Sequence, residues 1–435
     1  GGSIRFDGSD LFGVDKKYRY LPLYSVSGLW RISQEPFMAN AKWIDNLVVR
    51  ASYGLQGNID KNTSPYLLGN YRIENILPGG SEDMIDVSGA PNKKLRWEKT
   101  HSVNAGFDFA VLNQAINLSV DYYYRKGVDL IGTQMLPLET GFEMLTVNWA
   151  SMQNQGVEVA LSTRNIHTKN FMWTTNFNFA YNNNKILKEA LREDALEPGR
   201  EGYPVGALFA LKTAGLDEEG YPMFEGKDGK AVSAMEFFKL QEWGFGATDL
   251  TARERRELYT YVGTADCPYT GGFNNTFTYK AFELGVNFSF DFGGKVRSQP
   301  TYSIVDFDKG RNTNRDILNR WTPENTETIF PVLLSQNERL DEYMWYSNQN
   351  EIYRNLDIWI RDLNYVRLQN IRLGYTLPTN FTANWGMTSA TIAIEGRNLL
   401  VFGSSYKNYL DPETMSNAYA TPAPKSVTLS LNLNF

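Results

Sequence analysis

The residues of this chain best suited to chemistry are aromatic and amide side chains gathered in its long connecting stretches. Trp149, Tyr203, Tyr221, Phe224, Trp243, Trp321, Trp345, Tyr346 and Trp359 all fall between segments of regular structure. Aromatic faces at such positions stack on sugar rings or on other flat groups, and neighbouring amides bond hydroxyls or peptide backbone. That is the chemistry of a binder. The alternative is that these rings pack the connections on one another or on a partner, which the same residue types also serve.

Catalytic patterns are weaker. The carboxylate pairs Glu193–Asp194 and Glu218–Glu219 stand in polar stretches, where solvated charge accounts for them. Asp217–Gly220 followed by Asp228–Gly229 lacks the D-x-D-x-D-G spacing of a calcium loop and reads as a β-hairpin with glycine turns. The run Arg253–Glu257, RERRE, reads as a short solvated helix. There are two histidines, His101 and His167, and one cysteine, Cys267, so no disulfide framework exists within the chain and no nucleophile–histidine pair stands out. No enzyme activity, metal site or cofactor is therefore expected. A net charge of −6 without basic clusters argues against nucleic acid.

The elements that must position the binding residues are strands. From Leu95 to Lys126, two alternating runs flank a turn at Leu112–Gln114. Val103, Ala105, Phe107, Phe109 and Val111 share one face, and Asn104, Gly106 and Asp108 the other. Ile116, Leu118, Val120, Tyr122 and Tyr124 repeat the pattern against Asn117, Ser119 and Asp121. Runs of this length exceed a soluble strand of about 5–6 residues and match the roughly 9–11 of a tilted strand crossing a bilayer.

The pattern predicts twelve strands: Ser3–Gly8, Tyr20–Ile32, Asn46–Gln56, Glu98–Ala110, Ala115–Lys126, Gln155–Arg164, Phe171–Tyr181, Gly272–Tyr279, Phe282–Phe292, Tyr365–Thr376, Ala390–Leu400 and Ser426–Phe435. In Tyr365–Thr376 the apolar residues change face, which a bulge near Asn370 reconciles. Short connections (Ser33–Asp45, Leu112–Gln114, Asn165–Asn170, Lys280–Ala281, Leu377–Ser389) alternate with long ones, the longest Asn182–Gly271 and Gly293–Asn364. Alternating short and long connections, 14% aromatic residues and no apolar run near the ~20 residues of a membrane helix describe a transmembrane antiparallel β-barrel. The long connections are then extracellular loops and the short ones periplasmic turns.

Several pieces resemble the SusC/RagA group of TonB-dependent outer-membrane transporters of Bacteroidetes. They are LVVRASYGLQGN (Leu47–Asn58), LRWEKTHSVNAGFDF (Leu95–Phe109), NQGVEVALS (Asn154–Ser162), Tyr261–Val296, NRWTPEN (Asn319–Asn325), YVRLQNIRLGYTLP (Tyr365–Pro378), IEGRNLLVF (Ile394–Phe402) and the closing LNLNF. The resemblance implies a barrel of about 22 strands, of which residues 1–435 would be the C-terminal portion, the plug and N-terminal extension lying outside this chain. It further implies import of a glycan or oligopeptide with a SusD-like surface lipoprotein, energised by the TonB complex, in an outer-membrane dimer of transporter–lid pairs embedded in lipid. A siderophore or vitamin receptor is the nearest alternative, and a secreted all-β glycan-binding protein a more distant one. The longest connection, Asn182–Gly271, is expected to contact the lid.

Overall fold

The computed structural model describes residues 1–9, 19–61, 64–77, 80–142, 144–226, 228–240, 248–298, 310, 315–333, 351–403, 411–415 and 420–435. Trp243, Trp345 and Tyr346 lie outside the described residues. Twelve strands follow one another in a single antiparallel sheet in chain order. They are β1 Gly2–Gly8, β2 Tyr20–Arg31, β3 Ile44–Asn58, β4 Glu98–Val111, β5 Ile116–Met135 and β6 Met144–His167, then β7 Phe171–Lys188, β8 Tyr269–Tyr279, β9 Phe282–Arg297, β10 Ile360–Thr376, β11 Ser389–Phe402 and β12 Ser426–Asn434. Smaller strands belong to the connections. Among the described residues no helix is long and apolar enough to cross a membrane.

The chain divides into two compact units. The first comprises Gly1–Thr163, Ala180–Arg192 and Gly199–Val205. Its register carries the sequence alternation into space: Phe107 pairs with Val120 and Phe109 with Leu118, while Asp108 pairs with Ser119 and Gly106 with Asp121. Successive Cβ atoms point to opposite faces, so the apolar row and the polar row occupy opposite sides of β3–β6. The turn between β4 and β5 is tight because Leu112, Asn113 and Gln114 all adopt left-handed backbone (φ 58°, 57° and 56°). The Gln114 amide donates to Asp45 Oδ2 at 2.8 Å.

The second unit comprises Arg164–Phe179, Glu193–Pro198 and Gly206–Phe435. Here β8 and β9 join through Lys280–Ala281, with Phe273 stacked on Phe288 at 4.7 Å between centroids. Pairing of β10 with both neighbours skips Gln369, which is the bulge the change of apolar face requires. In β12 the row Val427, Leu429, Leu431, Leu433 and Phe435 is exposed, with Leu429 at 76%. An exposed apolar row opposite a polar one is the wrong way round for a water-soluble sheet and the right way round for a wall facing lipid.

Strands β5 to β10 outrun their sequence boundaries at the ends away from the short turns, β8, β9 and β10 by three to five residues and β5, β6 and β7 by more. β5 continues to Met135 and β6 begins at Met144, so most of the connection expected at Gly127–Asn154 is ladder. β7 runs on to Lys188. Beyond Lys126 the alternation fails at Gly127 and Leu130, where the register shifts twice. Backbone pairing holds these extensions, and an alternation rule has nothing to read there.

Candidate functional site

In the first unit the polar row converges on one guanidinium. Arg50 of β3 reaches Asp108 of β4, Asp121 of β5 (Nη2 to Oδ2 at 2.5 Å, Nε to Oδ1 at 3.2 Å) and Ser119 (3.2 Å). Ser119 also donates to Asp108 at 2.8 Å. Register puts all four on one face. Gly106 makes room for them: a Cβ there would collide with Asp121 Oδ1. The row borders a cleft of about 480 Å3 lined by Ser27, Asn104, Asp121, Tyr123, Arg125 and Glu158 among others. Its mixture of both charges, amide and phenol can bond hydroxyls or peptide groups and holds no nucleophile–base pair. The sequence placed Asp108 and Asp121 on the polar face but gave no sign that Arg50 joins them, since that depends on cross-strand register.

In the second unit the two longest connections fold together. Strand Ala207–Leu211 pairs with Tyr259–Thr264. Thr213–Leu216, Pro222–Glu225 and Ala231–Val232 make a three-stranded sheet. The Asp217–Gly220 turn is hydrogen-bonded from the Gly220 amide to the Asp217 carbonyl at 3.1 Å, and Asp217 Oδ1 accepts from the amides of Glu219 and Tyr221. Gly220 has φ +87°, and its bare Cα lets the Trp321 indole close over it. Helix Ala252–Glu257 carries a capping box from Thr251 and Glu254. Backbone and hydroxyl hydrogen bonds from Thr251, with Lys239 nearby, hold the Glu254 carboxyl down at about 2. Both the hairpin and the short helix match the sequence reading.

A core binds these pieces: Leu211, Phe224, Phe238, Tyr353, Leu356, Ile358 and Trp359. Phe224 stacks on Phe237 at 4.8 Å, and Trp359 meets Tyr353 edge-on at 5.5 Å while its Nε1 donates to the Tyr353 carbonyl at 2.9 Å. Complete burial drives the Tyr353 phenol far above its ordinary value. At the far end of β9, Arg297 donates to the carbonyls of Phe209 and Arg354, and the Ser298 amide and hydroxyl both donate to the Trp359 carbonyl.

The aromatic residues named from the sequence therefore separate. Phe224 and Trp359 are wholly buried, and Tyr221 and Trp321 are partly buried against the same body. Trp149 on β6 is 47% exposed, with Lys188 Nζ 3.3 Å above its ring centre, and Tyr203 is 38% exposed. Only these last two present a ring to solvent among the described members. Sequence could not sort them, because burial here depends on two connections meeting that are far apart in the chain.

A second polar cluster fastens the connection after β11 to the polar row of β10. Arg367 bonds Asp411, and its Nε donates to Glu413 Oε1 at 3.0 Å. The Tyr365 hydroxyl stands 2.6 Å from Asp291 and 3.0 Å from Glu413. Burial works against the charge on Asp411, but Arg367 and the amides of Glu413 and Ala423 outweigh it and hold the carboxyl below its ordinary value. Burial, with Asp291 adding to it, pushes the Cys267 thiol up, which gives no reactive thiolate. Among the described residues no group of three His, Cys, Asp or Glu is placed to hold a metal ion.

An antiparallel sheet with one lipid-ready face, one polar face, short turns and elaborate opposite connections is the wall of an outer-membrane β-barrel. Comparison with known proteins narrows the class. Residues 1–208 match the family model described as TonB dependent receptor-like, beta-barrel. TonB-dependent receptor P3 of Formosa agariphila is 27% identical over 465 aligned positions, covering 100% of this chain and 43% of that protein. TonB-dependent receptor SusC of Bacteroides thetaiotaomicron is 25% identical, covering 99% of this chain and 41% of its own length. The solved structure of the RagAB peptide transporter aligns over 100% of this chain and 45% of its own, with 24% identity and a TM-score of 0.75. The fold is that of a TonB-dependent receptor β-barrel, a protein of the outer membrane, and along its whole length the chain is similar to receptors of the SusC kind. It spans less than half the length of the relatives it matches.

Proposed function

We propose that this chain is the C-terminal portion of the barrel of an importer that takes up oligomers, glycan or oligopeptide, together with a SusD-like surface lipoprotein. The observation that carries this reading is the cored body built from the connections around Ala207–Thr264 and Arg315–Trp359. Joining two strands needs a few residues. A body with its own buried tryptophan, tyrosine and phenylalanines is a surface for holding something large, and a small chelate or vitamin makes no such demand. The polar cleft beside Arg50 and the exposed rings of Trp149 and Tyr203 supply the hydrogen-bonding and stacking groups that oligomers need. Passage would be energised by the TonB complex through a plug supplied by the remainder of the protein, and the assembly would pair two barrels with two lids.

The test is genetic and biochemical. Cells lacking the full gene should lose growth on one class of oligomer as sole carbon or nitrogen source, and the purified receptor should bring down a surface lipoprotein in equal amount. Loss of siderophore or vitamin uptake, with oligomer growth intact and no lipoprotein recovered, overturns the reading. Deleting the whole connection Asn182–Gly271 is a poor probe of lid contact, because it would also uncover Trp359 and Tyr353. Charge-reversing substitutions at its exposed Lys212 and Arg253 should weaken lid recovery and leave the body folded.

A further inference from the structure

The lipid-facing row of the first unit does not end in apolar residues. Following β4 away from its turn, Phe109, Phe107, Ala105 and Val103 are succeeded on the same face by His101 and Lys99. Register places Lys126 of β5 directly opposite His101, above Tyr122 and Tyr124 of the same row. Arg96 and Lys99 then converge on Asp129, at 2.6 and 3.0 Å. Among the described residues Lys126 forms no ion pair. Of the cations in this stretch, Arg96 and Lys99 pair with Asp129, while Lys126 stands beside His101 on the same row. Glu98 lies on the opposite face and bonds the Ile131 amide and Asn58.

Height decides what this patch meets. From Val111 to His101 is ten residues (111 − 101), about 33 Å of strand at roughly 3.3 Å each, and about 25 Å of height at a tilt of roughly 40°. That is the thickness of the apolar band of an outer-membrane barrel. Aromatic residues mark both edges. Trp43 meets Phe109 edge-on at 6.3 Å beside the turn; at the other edge Tyr24 and Tyr53 lie 6.0 Å apart, and the Tyr53 hydroxyl bonds His101 Nδ1 at 2.9 Å. The cations therefore stand at the outer headgroup level. Beside them is a cleft of about 710 Å3 whose lining mixes Leu21, Leu55 and Trp97 with Arg96, Lys99, His101 and Asp129.

We propose that Arg96, Lys99, His101 and Lys126 form a binding site for the phosphate-bearing headgroup of an outer-leaflet lipid. The phosphate would sit between Lys99 and Lys126, with its apolar portion against the tyrosine row below. Charge complementarity and continuity with the lipid-exposed row both specify this occupant. The site rests on the outer-membrane assignment and is independent of what the receptor imports.

The intact receptor should be placed in nanodiscs of equal phosphatidylcholine and phosphatidic acid, released, and its retained lipids weighed by native mass spectrometry. Wild type should retain phosphatidic acid over phosphatidylcholine, and Lys99→Gln and Lys126→Gln should each lower that preference about fivefold, the effect of one charge at a membrane surface. Lys169→Gln, in a short turn, should not change it. Equal retention of the two lipids by wild type, or an unchanged preference in both site variants, overturns the proposal. So does displacement of the bound lipid by millimolar inorganic phosphate, which would make the site one for the free ion. Heat-modifiable migration on gels confirms that each variant is a folded barrel, and the wild-type comparison stands without any variant.

Discussion

Arg50 shows what single residues contribute to the polar side of this wall. It neutralises two carboxylates that strand register brings together, and Arg50→Met would leave Asp108 and Asp121 facing one another across Ser119. Charge-assisted hydrogen bonds of this kind contribute about 1.5–3 kcal/mol. With the side chains about one-third exposed, screening lowers the expected loss to about 1–2 kcal/mol. It should appear as a lower temperature for collapse of the heat-modifiable band, and adding Asp108→Asn should recover part of it; no change in the single variant would show that the network adds no stability. Glu254 makes a different point. Because its carboxyl is held at about 2 in the folded cap, its stabilisation is complete above the ordinary carboxylate value and is lost as pH falls toward 2. Amides of Ala252–Glu257 should accordingly exchange hydrogen faster, after correction for intrinsic rates, as pH drops from about 5 to about 2. Thr251→Ala, which removes the cap, should raise exchange about fivefold at neutral pH, equivalent to about 1 kcal/mol. Equal exchange in wild type and variant would mean that the box does not hold this helix.

Among the elements, strands were legible and the loop body was not. Alternation located all twelve sheet strands, and the switch of apolar face between Leu368 and Ile371 located the bulge now seen at Gln369. Those signals are local, since every second residue reports which side is lipid. What alternation missed is the reach of β5, β6 and β7 beyond the apolar band, where both faces meet water and side-chain type no longer records facing. It also missed the union of Leu211, Phe224 and Trp359 in one core, a contact between residues more than a hundred positions apart. Aromatic richness was visible, but its division into buried Phe224 and exposed Trp149 was not. Phe224→Ala should cost the loop body about 3–5 kcal/mol. Protease cleavage within Ala207–Thr264 should then accelerate while the heat-modifiable barrel persists. Loss of the barrel band together with the loop would mean that body and wall fold as one unit.

For the whole molecule, one arrangement unites these observations: an apolar face toward lipid, a polar face opposite, short turns on one side of the membrane and cored connections on the other. Labelling of single cysteines in intact cells tests it most directly. In a cysteine-free background of the full receptor, Cys267→Ser included, Glu139→Cys places a thiol in the connection between β5 and β6, and Lys169→Cys places one in the turn between β6 and β7. A membrane-impermeant maleimide should label Glu139→Cys on whole cells, and Lys169→Cys only once the outer membrane is permeabilised. Labelling of Lys169→Cys on intact cells, or protection of Glu139→Cys in them, would contradict a barrel wall with its elaborated connections outside.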